Sequence, residues 1–264
     1  MAIFQVILYV HGGGFICTNI EFYDMSVTYL ARQGYTVVGC DYPLAPLSRH
    51  PEPIFSILKA IHYIQATKEP DTRYHLLGDS AGANIAMQVA ALLSNHDLLR
   101  DFLATMRGGE ALWEGGSGSR IPRVHSVASI YGMMGEEATY EPGPWNFNNT
   151  VRDPVCELLW RTCSAKSTGV KIHAFPSRFT DWLPLYPELA FPPALLTCGD
   201  ADPVLPSSVY LSKVKIRAWV RVRVRVMSEV GVEAVTIFLS QEMKRRGMRH
   251  KLTVYKGHVL TLDT

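Results

Sequence analysis

Gly78-Asp79-Ser80-Ala81-Gly82 stands between an apolar run at 74–77 and a helical-period segment at 81–93. Strand, Gly-x-Ser-x-Gly, helix is the setting in which a serine can be presented as a nucleophile. Small residues on either side let the chain turn sharply, and the Ser80 hydroxyl is then exposed at the C-terminal edge of a sheet. The N–H of Ala81 opens the helix and points at any anion that forms on a carbonyl attacked by Ser80. A Ser-Gly turn without chemistry is the rival, and the flanking strand and helix weigh against it.

Outward from this point, short apolar runs alternate with helical-period segments in both directions. Strands are predicted at 4–10, 36–40, 74–77, 123–131, 194–198 and 251–255. Helices are predicted at 21–33, closed by Gly34, at 53–65, 81–93 and 98–106, and at 235–246, closed by Gly247. That alternation is the pattern of an α/β domain with a mostly parallel sheet flanked by helices. About six strands in a single domain over 1–264 are expected, with a Gly-rich surface loop at 108–118. Between 133 and 192 the rhythm breaks, and Trp145, Trp160, Trp182, Tyr140, Tyr186, Phe147, Phe175 and Phe179 crowd among prolines. This stretch reads as a cap-like insertion over a pocket. An extended loop with its own small core is the other reading.

The second chemical signal is His11-Gly12-Gly13-Gly14-Phe15, directly after the first strand. Consecutive glycines reach backbone conformations closed to other residues, so N–H groups can converge on one point. Together with Ala81 they would form an oxyanion hole. A phosphate-cradling loop would carry a following Lys-Ser/Thr or a GxGxxG spacing, and neither is present.

Composition narrows the function classes. The 264 residues include 26 Lys plus Arg against 24 Asp plus Glu, a formal charge of +2 that is too small to argue for nucleic acid or an anionic surface. With 47% hydrophobic and 19% charged residues, wholesale disorder is excluded. Cys17, Cys40, Cys156, Cys163 and Cys198 are odd in number and have no C-x-x-C spacing, so neither a metal knuckle nor a redox pair is suggested. Scattered thiols, and a first strand without a basic leader or cleavage site, lead to the expectation of a cytoplasmic protein. No apolar run approaches the ~18 residues of a membrane span.

HGGGF, the stretch Asp41-Tyr42-Pro43-Leu44-Ala45-Pro46, and Gly78-Asp79-Ser80-Ala81-Gly82-Ala83-Asn84 together resemble the α/β-hydrolase fold-3 family, the hormone-sensitive-lipase-like carboxylesterases. The motifs occur in the family's order. The resemblance is close from His11 to about Asn95 and resumes at Ala194. It implies Ser80 as nucleophile, with the N–H groups of Gly12, Gly13 and Ala81 as oxyanion donors. The Asp41–Pro46 loop would be a support beside the site. It implies no metal and no organic cofactor.

A neutral hydroxyl needs a His as base, and that His needs a carboxylate to fix its tautomer. The chain order expected on this fold is Ser, acid, His. Asp200 and Asp202 both follow the strand 194–198, and Asp202-Pro203-Val204-Leu205 is similar to the family's D-P-L signature, so Asp202 is preferred. Asp181 lies in the insertion. His258 follows the last predicted strand, where the family places its base, whereas His250 precedes that strand. The expected activity is hydrolysis of esters with small to medium apolar acyl groups through an acyl-enzyme. A small-molecule-binding protein on the same fold and an amide (arylformamide) hydrolase are the alternatives.

Two features depart from the family pattern. Segment 213–235 contains the strict alternation Val220-Arg221-Val222-Arg223-Val224-Arg225-Val226. It reads either as an edge strand with a basic face or as a low-complexity insertion, and excising it would join 208–212 to 236–246 as one helix. Its six basic residues against two acids carry the whole slight basicity of the chain. The strands that the family has before HGGGF are not found ahead of it, and without those neighbours 36–40 would be expected to become a sheet edge. An exposed apolar edge invites self-association, with a homodimer as its simplest form and poor solubility as its cost.

Overall fold

Val6, Ile7, Leu8, Tyr9 and Val10 are all buried. Successive side chains of a strand point to opposite faces, so this strand is covered on both, as in the interior of a parallel sheet. The computed structural model describes residues 5–67, 72–113, 121–132, 191–199 and 223–227. Its strands are β1 (Gln5–Val10), β2 (Thr36–Cys40), β3 (Arg73–Asp79), β4 (Val124–Ile130), β5 (Ala194–Gly199) and β6 (Arg223–Met227). They lie in the order β2-β1-β3-β4-β5-β6, and every neighbouring pair is parallel.

The helices are α1 (Asp24–Arg32), α2 (Glu52–Thr67), α3 (Ser80–Leu93) and α4 (His96–Leu103). Each of the four predicted helices in these regions exists, with ends moved by a few residues. The first is split: a 3-10 turn at Ile20–Tyr23 precedes α1. Helix α2 buries Ile54, Phe55, Ile57, Leu58, Ile61 and Ile64, the three-and-four spacing of one helical face. Every residue of α3 from Ala81 to Leu93 is buried. Its alanines keep it thin enough to lie against β3 and β4 with α2 and α4 alongside. Helix α4 starts at Asn95, whose side chain accepts the Leu98 N–H at 2.8 Å and satisfies an otherwise open donor.

The topology decides where a site can form. From β1 the chain crosses to β2 on one side and then to β3 on the other, so the strand order reverses between β1 and β3. Loops leaving the C-terminal ends of two such strands diverge and open a crevice. In the register of this pair Val10 stands opposite Gly78. His11 and Ser80 therefore leave the sheet side by side.

Part of the sequence reading lies outside the described residues: the cap-like stretch up to residue 190, the predicted helix 235–246 and the predicted strand 251–255. Of the alternating segment 213–235, Arg223–Met227 is described, and it is a strand. It pairs with β5, Leu195 opposite Arg223 and Gly199 opposite Met227. Period-2 alternation with valine at every other position suits a pleated ladder. At the opposite end of the described sheet, β2 is half-buried up to Cys40, and α1 buries none of its residues. Phe22, Met25 and Tyr29 are exposed there. Among the described residues no helix is long and apolar enough to cross a membrane.

One half-buried histidine is expected to make this fold acid-sensitive. Burial holds the His50 imidazole neutral down to about pH 4, and its Nε2 is shut off from solvent. The unfolded chain takes up that proton near the ordinary histidine value, about 6.5. The depressed folded-state value therefore leaves stability intact above about pH 6.5 and removes it as pH falls toward 4. The full loss is about 3 kcal/mol. In urea titrations between pH 7 and 4, His50→Leu is expected to flatten this decline. An equal decline in the variant would assign it to other groups.

Candidate active site

Ser80 is the first residue of α3 and has φ +48°. Asp79 before it is still extended, at φ −117° and ψ 149°. The chain thus passes from strand to helix through a single left-handed residue. For a non-glycine residue this costs on the order of 1–3 kcal/mol and persists only where the surroundings enforce it. The enforcement is visible at Gly82, where a Cβ would run into the backbone carbonyl oxygens of Val10 and His11. The turn can be this tight only because the first turn of α3 lies directly against the end of β1.

The glycine loop follows β1. Gly13 has φ +103°, and its carbonyl accepts from the N–H groups of Ile16 and Cys17 at 3.0 and 3.1 Å. Around it the loop is held from three sides. The Tyr42 hydroxyl donates to the carbonyls of His11 and Gly12 at 3.0 and 3.2 Å, and the Thr18 hydroxyl donates to Gly12 O at 2.9 Å. The buried His11 ring stacks on Tyr42, centroids 4.4 Å apart. Its Nδ1–H donates to Gly12 O at 2.8 Å, which fixes the position of that proton because a carbonyl only accepts. Nε2 lies 3.3 Å from Asp41 Oδ1, and the same oxygen accepts the Ile20 N–H at 2.8 Å. The support expected from the Asp41–Pro46 stretch is thus physical: Tyr42 clamps the loop, and Ala45 N–H donates to Phe15 O at 2.9 Å.

The acid inside the quoted motif, Asp79, is the group that sequence reasoning missed. It is 2% exposed. Its Oδ1 accepts from the Tyr9 hydroxyl at 3.2 Å and the Gly12 N–H at 3.1 Å, and its Oδ2 from the Tyr23 hydroxyl at 3.1 Å. Tyr131, at the end of β4, reaches Oδ2 at 3.5 Å. Burial pushes the carboxyl above its usual range, while the bonds from Tyr23, Tyr9 and Gly12 and the nearby His11 pull the other way. Burial, and then the Asp79 charge, raise Tyr23 to about 12 and Tyr9 well beyond its ordinary value. Both phenols therefore stay protonated donors at neutral pH. Sequence carried a weak signal for Asp79, its place beside Ser80, and none that Tyr9, Tyr23 and Tyr131 would converge on it.

This cluster engages the N–H of one expected oxyanion donor. The N–H of Gly12 does not point into open space: it is directed at Asp79 Oδ1, with the Tyr23 oxygen also 3.1 Å away. A donor held by a buried carboxylate is poorly placed to serve an oxyanion as well. Asp202 and His258, expected to complete a triad with Ser80, lie outside the described residues. Among the described residues no group of three or more His, Cys, Asp and Glu gathers as it would around a metal ion.

Known proteins share this fold. A 93-residue stretch, 33% of the chain, is 36% identical to an acetyl esterase of Salmonella schwarzengrund (strain CVM19633). It spans 29% of that enzyme, so the match covers less than a third of the relative's length. The fold superposes on the Francisella virulence factor BioJ with a TM-score of 0.57 at 14% identity, over 98% of this chain and 68% of the other. It superposes on an esterase of the bacterial hormone-sensitive lipase family with a TM-score of 0.57 at 21% identity, over 96% and 66%. For esterase B of Lactobacillus rhamnosis the TM-score is 0.59 at 16% identity, over 96% and 65%. At these identities the structural likeness speaks for the fold. A family model described as alpha/beta hydrolase fold matches residues 7–233, most of the chain. The chain belongs to the α/β-hydrolase fold-3 family.

Proposed function

We propose that this chain is a serine hydrolase that cleaves carboxylic esters through an acyl-enzyme. The observation that carries the reading is Ser80, strained at φ +48° at the head of α3 and set beside a glycine loop at the reversal point of the sheet. Strain of this kind at a residue able to act as nucleophile is a feature of functional sites. In the proposed reaction Ser80 Oγ attacks the acyl carbon and His258 takes its proton. His258 then returns the proton to the leaving alcohol, while Asp202 holds its ring in the right tautomer. Water attacks the acyl-enzyme by the same route in reverse.

The N–H groups of Gly13 and Ala81 are assigned to the oxyanion, and that of Gly12 to holding the loop against Asp79. Small to medium apolar acyl groups are the proposed substrates. The aromatic character of 133–192 and the acetyl esterase relative both favour that class. The test is hydrolysis of p-nitrophenyl acetate, butyrate and octanoate by the purified chain, with Ser80→Ala and His258→Ala as controls. Turnover on the short esters that both substitutions abolish is expected. Absence of any Ser80-dependent turnover would sink the proposal.

A further inference from the structure

We infer that Asp79 is the positioning residue of this site, its carboxylate fixing the Gly12–Gly14 loop at a set distance from Ser80. The inference rests on the esterase reading for its catalytic consequence but not for its structural one. Asp79 adjoins Ser80 in the chain, so its backbone moves with the nucleophile. Its side chain turns away from the reaction and binds the Gly12 N–H, one residue before Gly13. The link from nucleophile to loop is therefore one side chain long. The holds from Tyr42, Thr18 and His11 act on the carbonyls of His11 and Gly12. They leave the Gly12 N–H to Asp79 and to Tyr23, which itself donates to Asp79.

The choice of residue follows from the number of donors. Two hydroxyls and one N–H converge on two oxygens within 3.2 Å, and an ionised carboxylate is the side chain that can accept from all of them without offering a proton back. An asparagine in place of Asp79 would keep the shape but turn an NH₂ toward one of these donors. Placed at the Oδ1 position, the NH₂ faces the Gly12 N–H and the loop must shift. Placed at the Oδ2 position, it turns the Tyr23 hydroxyl from donor to acceptor, and the charge-assisted hold there is lost. There is no room for the loop to shift inward, because even a Cβ on Gly12 would overlap the Asp79 carboxylate. Displacement of a reacting group by about 1 Å can cost on the order of 10² in rate.

The experiment compares wild type, Asp79→Asn and Tyr23→Phe by p-nitrophenyl butyrate kinetics and by amide hydrogen exchange at Gly12. The substitution Tyr23→Phe removes one of the donors while leaving Asp79 in place, and serves if Asp79→Asn does not fold. For Asp79→Asn, kcat is expected to fall by about 10²-fold with KM within twofold, and Gly12 exchange to accelerate at least about tenfold. For Tyr23→Phe the same changes are expected, smaller. Unchanged Gly12 exchange in the folded variants overturns the inference whether or not the chain turns over ester. So does unchanged or increased kcat in an active enzyme, the increase being what a carboxylate merely repelling the oxyanion would produce. A wild type without Ser80-dependent turnover defeats the esterase reading alone, and the Gly12 exchange still decides the anchor.

Discussion

Ser80→Ala is expected to reduce p-nitrophenyl ester turnover to the background of the uncatalysed reaction and of the remaining oxyanion donors. Removal of the nucleophile from a serine triad costs on the order of 10⁶ in kcat. The practical floor is set by assay sensitivity, so a loss of at least about 10³-fold is the result to look for. The strained backbone adds a second measurable consequence. Ser80 holds φ +48°, a region that glycine enters without penalty. Ser80→Gly is therefore expected to be as inactive as Ser80→Ala but more stable, by about 1 kcal/mol in urea unfolding. Stability gained by deleting the nucleophile would show that the strain belongs to the reaction site rather than to the fold. Equal stability of the two variants would show that the turn is relaxed, and would remove the main support for the functional reading.

The second large effect is expected at Gly82. A single added methyl there meets the carbonyl oxygens of Val10 and His11, backbone atoms of a strand buried on both faces. Overpacking of a core against flexible side chains costs about 1–3 kcal/mol, and here no side chain can turn aside. Gly82→Ala is accordingly expected to lose about 3 kcal/mol or more, read as a lowered urea midpoint or as loss of soluble protein. Any relaxation that accommodates the methyl separates the end of β1 from the head of α3, so ester turnover should fall with stability. Leu47→Ala is the control, since Leu47 is 99% exposed and a surface truncation shifts stability by no more than about 0.5 kcal/mol. A Gly82→Ala chain as stable as that control would mean the strand and helix do not meet as described.

The elements around Ser80 were legible in the sequence because each depends on neighbours along the chain. The apolar run before Gly78, the small-residue helix after it and the three glycines after Val10 all act over a few residues. Helix 98–106 shifted to His96–Leu103 because the capping of Leu98 N–H by Asn95 draws its start toward that residue. The alternating 220–226 stretch left two readings open, because period 2 predicts a strand but does not say whether the strand finds a partner. Its residues Arg223–Met227 pair with β5.

What the sequence determined by itself was local: a strand-turn-helix that demands small residues around a serine, and a glycine loop able to converge its N–H groups. At Gly78 the demand is local, since a Cβ there would meet the backbone of Gly82 and Ala83, whereas Gly82 is kept small by the end of β1. What only the tertiary structure decided was which groups those N–H donors meet. Tyr9, Tyr23, Gly12 and Asp79 are separated by up to 70 positions, and their meeting depends on β1 lying beside β3 at the reversal of the sheet. That parallel pairing turns the second residue of the Gly-x-Ser-x-Gly motif inward onto the glycine loop. It turns the Gly12 N–H toward a buried carboxylate.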